Sequence, residues 1–165
     1  MSTTLLLRIA SVISLLFTAG HTRGGLKKWS PMGENEVLKA MATVRFETMG
    51  ASRSYLDFFT GFGWSISVFM LLQTVLLWQI GSMARTNAVH VRPMIAAFAL
   101  ANLATAMIAW RFIFPMPAVF SGVLVLALVA AYAVASRRSG LSGDGLAVEQ
   151  GAEADRQGPG LNQPR

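Results

Sequence analysis

The chain has 165 residues, of which 53% are apolar and only 13% are charged, and its formal net charge is +6. A soluble domain carries about a quarter charged residues, so this composition excludes an ordinary water-soluble fold for most of the chain. The absence of cysteine excludes disulfides, thiolate metal sites, iron–sulfur clusters and thiol redox chemistry, including that of a quinone-coupled disulfide oxidoreductase.

The charged residues are concentrated in segments 23–57, 85–92 and 137–165. This segregation is typical of membrane proteins, because a charge is costly at mid-membrane and tolerated at the interface. Nucleic-acid binders usually cluster Lys and Arg on one face. Here the basic residues stand beside apolar segments, which predicts contact with anionic headgroups and no nucleic-acid partner. These residues are Arg85, Arg92, Arg111, Arg137 and Arg138.

Residues 5–20 are apolar apart from Arg8 and form the first predicted transmembrane span. The alternative is a secretory signal peptide, because the apolar run ends in Phe17-Thr18-Ala19-Gly20, with small residues at plausible cleavage positions. No basic residue precedes the run, and Arg8 can extend to the interface from a helix in lipid, which favours a retained span. Both interpretations stay open at this point.

Residues 21–57 form the one sizeable predicted loop. From Glu36 to Thr48, the apolar residues Val37, Met41 and Val44 recur at helical spacing. This pattern predicts a short amphipathic helix, which either lies on the membrane surface or packs over the bundle.

Three further spans follow. Asp57 and Arg85 enclose 27 uncharged residues, and the second span is predicted at 58–80. A hydrocarbon core of about 30 Å needs about 20 helical residues, so this segment can cross it. The third span, 93–110, and the fourth, 117–136, each begin at a proline, which suits a first helical turn. A very short turn joins them.

These spans predict an all-α fold, a transmembrane bundle most simply of four helices, within one domain at residues 1–138. Residues 139–165 are rich in Gly, Ser, Pro, Gln and acidic residues without periodicity, and we predict a disordered tail. Four spans place both termini on one side. The arginines at 85–92 and 137–138 favour a cytoplasmic location for that side, whereas the basic residues at 23–28 favour the opposite.

Inside the spans, Gln73, Asn102 and Thr105 each need a hydrogen-bond partner, because hydrocarbon offers none. Asn102, Thr105 and Ala109 share a helical face, so this face is predicted to point into the bundle. No carboxylate lies within a predicted span, which disfavours a proton-coupled transporter.

The densest polar cluster precedes the second span, in Arg53-Ser54-Tyr55-Leu56-Asp57. If this segment is helical, Arg53 and Asp57 stand four apart on one face and can pair. Gly61 and Gly63 follow and permit close approach of a helix or a ligand. The cluster is interpreted either as a binding site for an anionic or polar headgroup or as an interfacial anchor.

His21 directly follows the first span. An interfacial histidine can carry a proton or bind a metal ion, but no second histidine stands at ligand spacing. Convergence of His21 with Glu34, Glu36 and His90 would not be visible in the sequence. We therefore predict a polar interface residue, with no metal site and no cofactor.

The segment Arg53-Ser54-Tyr55-x-Asp57-Phe58-Phe59-x-Gly61-Phe62-Gly63 resembles a family of small bacterial four-helix membrane proteins of unknown function. Gly20-His21-Thr22 and Phe114-Pro115-x-Pro117 support the resemblance, which covers most of residues 15–120. It implies four spans and an inner-membrane location, and it implies no activity. Because the pattern concentrates on them, His21, Arg53, Tyr55 and Asp57 are the candidate binding residues.

The sequence favours a non-catalytic inner-membrane protein over an enzyme, either a helper to a larger complex or a binder of lipid or another small amphiphile. The alternative is a membrane-embedded enzyme or small transporter that uses His21, Arg53 and Asp57 at one interface. A pocket with His21 within hydrogen-bond reach of Arg53, Tyr55 or Asp57 would favour the alternative. The expected partners are the lipid bilayer and, for a helper, another membrane protein.

Overall fold

The computed structural model describes residues 1–27 and 33–156, and the side chains of residues 1–24 and 33–137. The chain forms five α-helices and one β-hairpin within these residues. In chain order they are α1 (Thr3–Lys27), α2 (Glu36–Thr43), β1 (Arg45–Thr48), β2 (Ala51–Ser54), α3 (Tyr55–Met83), α4 (Arg92–Phe112) and α5 (Pro115–Arg156).

Four of the helices are long and apolar enough to cross a membrane, which confirms the predicted four-span helical fold. The membrane-capable segments are Thr3–Gly24, Tyr55–Met83, Arg92–Phe112 and Pro115–Arg137. Each extends beyond its predicted span at both ends. Pro93 lies in the first turn of α4, as its missing N–H predicts.

Neighbouring helices in the bundle run antiparallel. The beginning of α1 lies beside the end of α3, where Leu7 and Arg8 surround Gly81. The other end of α1 meets the beginning of α5, where the rings of Phe17 and Phe120 stack with centroids 5.0 Å apart. Because α5 also packs against α4, the helices follow the order α3, α1, α5, α4.

The core is one cluster of buried apolar side chains contributed by α1, α3, α4 and α5, with Val91 from the loop before α4. Leu7, Leu77, Ile95, Leu124 and Leu128 are its largest fully buried aliphatic members. Most other large apolar side chains on the four long helices are exposed, as expected when hydrocarbon surrounds the bundle.

The first loop differs from its prediction. Helix α2 begins at Glu36 as expected, with Asn35 Oδ1 accepting from the Leu38 N–H at 2.9 Å, and none of its residues is buried. It ends at Thr43, however, so the predicted helix is wrong for residues 45–48. That segment pairs antiparallel with residues 51–54 around Met49 and Gly50, both of which have positive φ. Glycine in this second turn position favours a two-residue hairpin, which overrides the helical spacing.

Helix α5 continues to Arg156, across the first part of the segment for which the sequence predicts a disordered tail. No proline stands between Pro117 and Pro159 to prevent continuation of the helix. Residues 157–165 lie outside the described residues.

Candidate functional site

The beginning of α3 is fixed by Ser54 and Asp57. The Ser54 hydroxyl accepts from the Asp57 N–H at 3.0 Å, and the Asp57 carboxylate accepts from the Ser54 N–H at 2.9 Å. This reciprocal capping box satisfies backbone donors that a helix end otherwise leaves unpaired. The candidate residue Asp57 therefore has a structural partner of its own.

Arg53 lies outside the helix, in β2, and its Nη1 donates to the Ser52 carbonyl at 2.9 Å. The helical spacing on which the predicted Arg53–Asp57 pair depends is therefore wrong, because α3 begins only at Tyr55. Sequence spacing could not show this, since a hairpin precedes the helix without an intervening loop.

An open groove with a volume of about 730 Å³ follows the first turns of α3. Its lining is mixed, with charged and polar groups and with aromatic and aliphatic side chains. The lining residues are Arg53, Leu56, Asp57, Phe58, Thr60, Gly61, Phe62 and Ser65. An added Cβ at Gly61 would meet nothing within 4 Å, so no other helix among the described residues approaches there and the space is open to a ligand.

A run of aromatic rings joins the hairpin to this groove. The Phe46 ring lies 5.0 Å from Tyr55 and 5.8 Å from Phe58, and Phe58 lies 4.8 Å from Phe62, measured between centroids. The candidate Tyr55 therefore packs on the hairpin and does not line the groove. Its ring helps to hold the hairpin against α3.

His21 lies elsewhere. Its Nδ1 is 3.0 Å from the Ser67 hydroxyl on α3, to which Thr22 Oγ1 also donates at 3.0 Å. Ser67 is twelve residues beyond Tyr55, which is about 18 Å along a helix. The structure thus brings Arg53 and Asp57 to one groove, places Tyr55 beside it, and leaves His21 in the contact between α1 and α3.

A polar network crosses the bundle near its middle, and sequence analysis identified only part of it. Asn102 Nδ2 donates to Gln73 Oε1 at 3.0 Å, and Gln73 Nε2 donates to the Ser14 hydroxyl at 3.2 Å. Thr74 Oγ1 also donates to Ser14 Oγ, at 2.9 Å. The network links α4, α3 and α1 and confirms that Gln73 and Asn102 need partners. The spacing of Ser11, Ser14 and Thr18 on one face of α1 could have identified it.

The predicted inward face of α4 is confirmed for Asn102 and Ala109, which are buried. It is wrong for Thr105, which is exposed. The Thr105 hydroxyl donates to the Ala101 carbonyl at 2.9 Å, so this side chain can face lipid without a partner on another helix.

Among the side chains that the structure describes, no three His, Asp or Glu residues come together in a way that could hold a metal ion. The described carboxylates are those of Glu34, Glu36, Glu47 and Asp57, all between residues 33 and 57.

Comparison of the chain with protein-family models, with curated proteins and with solved structures finds no match. The chain is, by its fold, a multi-pass helical protein whose four long helices are suited to a membrane.

Proposed function

We propose that this protein is a non-catalytic protein of the bacterial inner membrane that binds a lipid or another single-chain amphiphile in the groove at the start of α3. This proposal extends the resemblance to small four-helix membrane proteins by naming a site. The observation that carries it is the groove itself, which combines Arg53 with the aromatic side chains of Phe58 and Phe62 at the beginning of a membrane-capable helix.

The position of the groove along α3, at the end of a helix longer than the hydrocarbon core is thick, suits an amphiphile. Helix α3 has 29 residues, which is about 43 Å of helix against a hydrocarbon core of about 30 Å. Its first turns therefore extend into the headgroup region. An anionic headgroup beside Arg53 would place an acyl chain along Phe58 and Phe62, toward Ser65.

The alternative, a membrane-embedded enzyme or transporter, requires His21 beside the Arg53 cluster, and His21 contacts Ser67 instead. A Ser–His contact can activate a nucleophile. However, Ser67 is buried between α1 and α3 and does not line the groove. The pair is better explained as a hydrogen bond that holds two helices together.

The proposal is tested with delipidated protein in detergent, titrated with lysophosphatidylglycerol and followed by native mass spectrometry. Phe62→Ala is expected to weaken binding about tenfold, because an exposed aromatic ring that the lipid chain covers contributes about 1.5 kcal/mol or more. Arg53→Gln is expected to weaken it by a smaller factor of about three. Phe69→Ala is the matched control, since Phe69 is exposed on α3 outside the groove.

Unchanged affinity in both groove variants would contradict the proposal. Turnover of the probe lipid, lost in His21→Ala but retained in Arg53→Gln, would favour the enzymatic alternative instead.

A further inference from the structure

Among the side chains that the structure describes, the end of the bundle at which α1 begins carries four arginines: Arg8, Arg85, Arg92 and Arg137. We call it the basic face. Arg8 lies six residues into α1 and beside the end of α3, and Arg92 begins α4. Arg92 also contacts Tyr132, near the end of the α5 span at Arg137. The antiparallel arrangement therefore places all four at the same end of the bundle, opposite the hairpin.

Arg8 is held in a fixed orientation by α3. Its guanidinium carbon lies 3.3 Å from the centre of the Trp78 ring, and its Nη2 donates to the Ser82 hydroxyl at 2.8 Å. Its Nε is buried and has no hydrogen-bond partner among the described residues. The cation is thus stacked on an aromatic face, and Ser82 is the one described residue to which its Nη groups donate.

Gly81 explains why the arginine can lie so close to α3. An added Cβ at this position would be 3.3 Å from the Leu7 Cβ and 3.6 Å from Arg8 Nε. The absence of a side chain at Gly81 lets the guanidinium reach Trp78 on one side and Ser82 on the other. Residues of α3 therefore fix the position of the Arg8 guanidinium, and no contact with solvent is needed to hold it there.

A second arginine on this face has the same kind of support. The Arg92 guanidinium carbon lies 5.0 Å from the centre of the Tyr132 ring, and its Nη2 donates to the Tyr132 hydroxyl at 3.2 Å. Its Nε is likewise buried without a partner among the described residues. Each helix pair, α1 with α3 and α4 with α5, thus presents one arginine backed by an aromatic ring.

No carboxylate with a described side chain lies on the basic face, because all four described acids belong to residues 33–57 at the other end. An arginine at the edge of the hydrocarbon region is stable when an anion approaches it or when it reaches water. Trp78 is 50% exposed and Tyr132 is 37% exposed, so both rings border the space that lipid occupies around the bundle. The anion nearest to that space is a lipid phosphate.

We propose that Arg8, held in place by Trp78 and Ser82, binds the phosphate group of an anionic lipid, and that Arg92 with Tyr132 forms a second site of the same kind. A planar guanidinium offers paired N–H groups that match phosphate oxygens, and the aromatic ring fixes its plane. A phosphate could also come from solution as inorganic phosphate. The lipid is the expected source because the rings border the lipid-facing surface.

The Arg8 site contains its own reporter. In a full-length variant with Trp29, Trp64 and Trp110 replaced by Phe, Trp78 is the remaining tryptophan. This variant is reconstituted with brominated phosphatidylglycerol or with brominated phosphatidylcholine. The quenching of Trp78 fluorescence by each lipid gives the relative affinity of the site for the two lipids. We expect a preference for phosphatidylglycerol of about fivefold or more at this position.

Three substitutions distinguish a site that α3 shapes around Arg8 from a general attraction of positive charge for anionic lipid. Arg8→Gln is expected to reduce the preference to about one, whereas Arg85→Gln removes the same charge from an exposed position on the same face and is expected to retain most of it. Arg8→Lys keeps the charge but loses the planar stack, and should lose more than half of the preference. It also tests the site if Arg8→Gln does not fold.

Three results would overturn the proposal. They are equal quenching by both lipids in the parent protein, an equal loss in Arg85→Gln and Arg8→Gln, and a full preference in Arg8→Lys. Displacement by millimolar inorganic phosphate would overturn the lipid as the source of the phosphate. A variant that keeps only Trp110, at the opposite face beside Arg111, is the spatial control, and adding Arg8→Gln to it should leave its relative quenching by the two lipids unchanged. Because this site and the α3 groove lie at opposite ends, either can fail without the other.

Discussion

The two helix pairs of the bundle are held together by different chemistry. Between α1 and α3, hydroxyl groups meet: Ser11 donates to the Thr74 carbonyl at 2.8 Å, and Thr74 donates to Ser14. Between α4 and α5 the buried residues are mainly aliphatic, such as Ile95, Leu124 and Leu128. One pair is therefore joined by several hydroxyl hydrogen bonds in addition to apolar packing, whereas the other is joined mainly by aliphatic packing, apart from the Arg92–Tyr132 hydrogen bond at its end.

The lengths of the segments that connect the helices explain why the two pairs use different contacts. Only Ile113 and Phe114 join α4 to α5, so the short turn itself sets how the two helices align. Residues 28–54 separate α1 from α3, and such a connection leaves their alignment free. Apolar side chains gain little by leaving lipid for another helix. Close packing and hydrogen bonds must therefore fix the alignment of α1 and α3.

The largest expected effect is at the closest approach of that pair. Gly81→Leu would drive a side chain into Leu7 and Arg8, and we expect a loss of about 3 kcal/mol in the free energy of unfolding. Reversible unfolding in mixed detergent and SDS micelles measures it. Gly61→Leu is the matched control, because a Cβ there meets nothing within 4 Å and should cost little. Similar losses in both variants would contradict close packing as the cause.

A smaller effect is expected from the hydroxyls. Ser14 and Ser121 are both fully buried, but Ser14 accepts two hydrogen bonds while the Ser121 hydroxyl has no partner among the described residues. Ser14→Ala should cost about 1 kcal/mol, since it leaves the Gln73 amide donor unpaired in a dry core and leaves the Thr74 hydroxyl with only the Met70 carbonyl as acceptor. Ser121→Ala should be neutral or stabilising in the same SDS titration. If the two substitutions cost the same, hydrogen bonding does not distinguish the two helix pairs.

The sequence predicted the spans well because the composition of each segment alone indicates whether it is stable as a helix in lipid. Long uncharged segments bounded by arginines and prolines are stable as helices in lipid, whatever their neighbours. The sequence contains no comparable indication of which helices pack against each other. Gly81 and Ser82 matter only because α1 runs antiparallel beside them, and that arrangement depends on contacts distant in sequence.

The candidate site was predicted less well, for a local reason and a long-range one. Locally, the hairpin replaced the helical turn that was expected to pair Arg53 with Asp57. Over long range, His21 aligns with Ser67 through the antiparallel packing of α1 on α3. Composition predicts that the charged residues lie at the ends of the spans, but only the fold shows which polar side chains meet.

The smallest expected effect concerns the connection between α1 and α3 alone. Met49 has φ of 48° at the hairpin tip, where a non-glycine residue is strained, and its side chain is exposed. Met49→Asn should stabilise the hairpin by about 0.5 kcal/mol, because Asn-Gly suits this turn. Hydrogen exchange of the ladder amides should slow about twofold, with unchanged SDS unfolding of the spans. Met49→Ala, which keeps the strain, should give no gain; an equal gain would mean that removing the exposed methionine is what stabilises the hairpin.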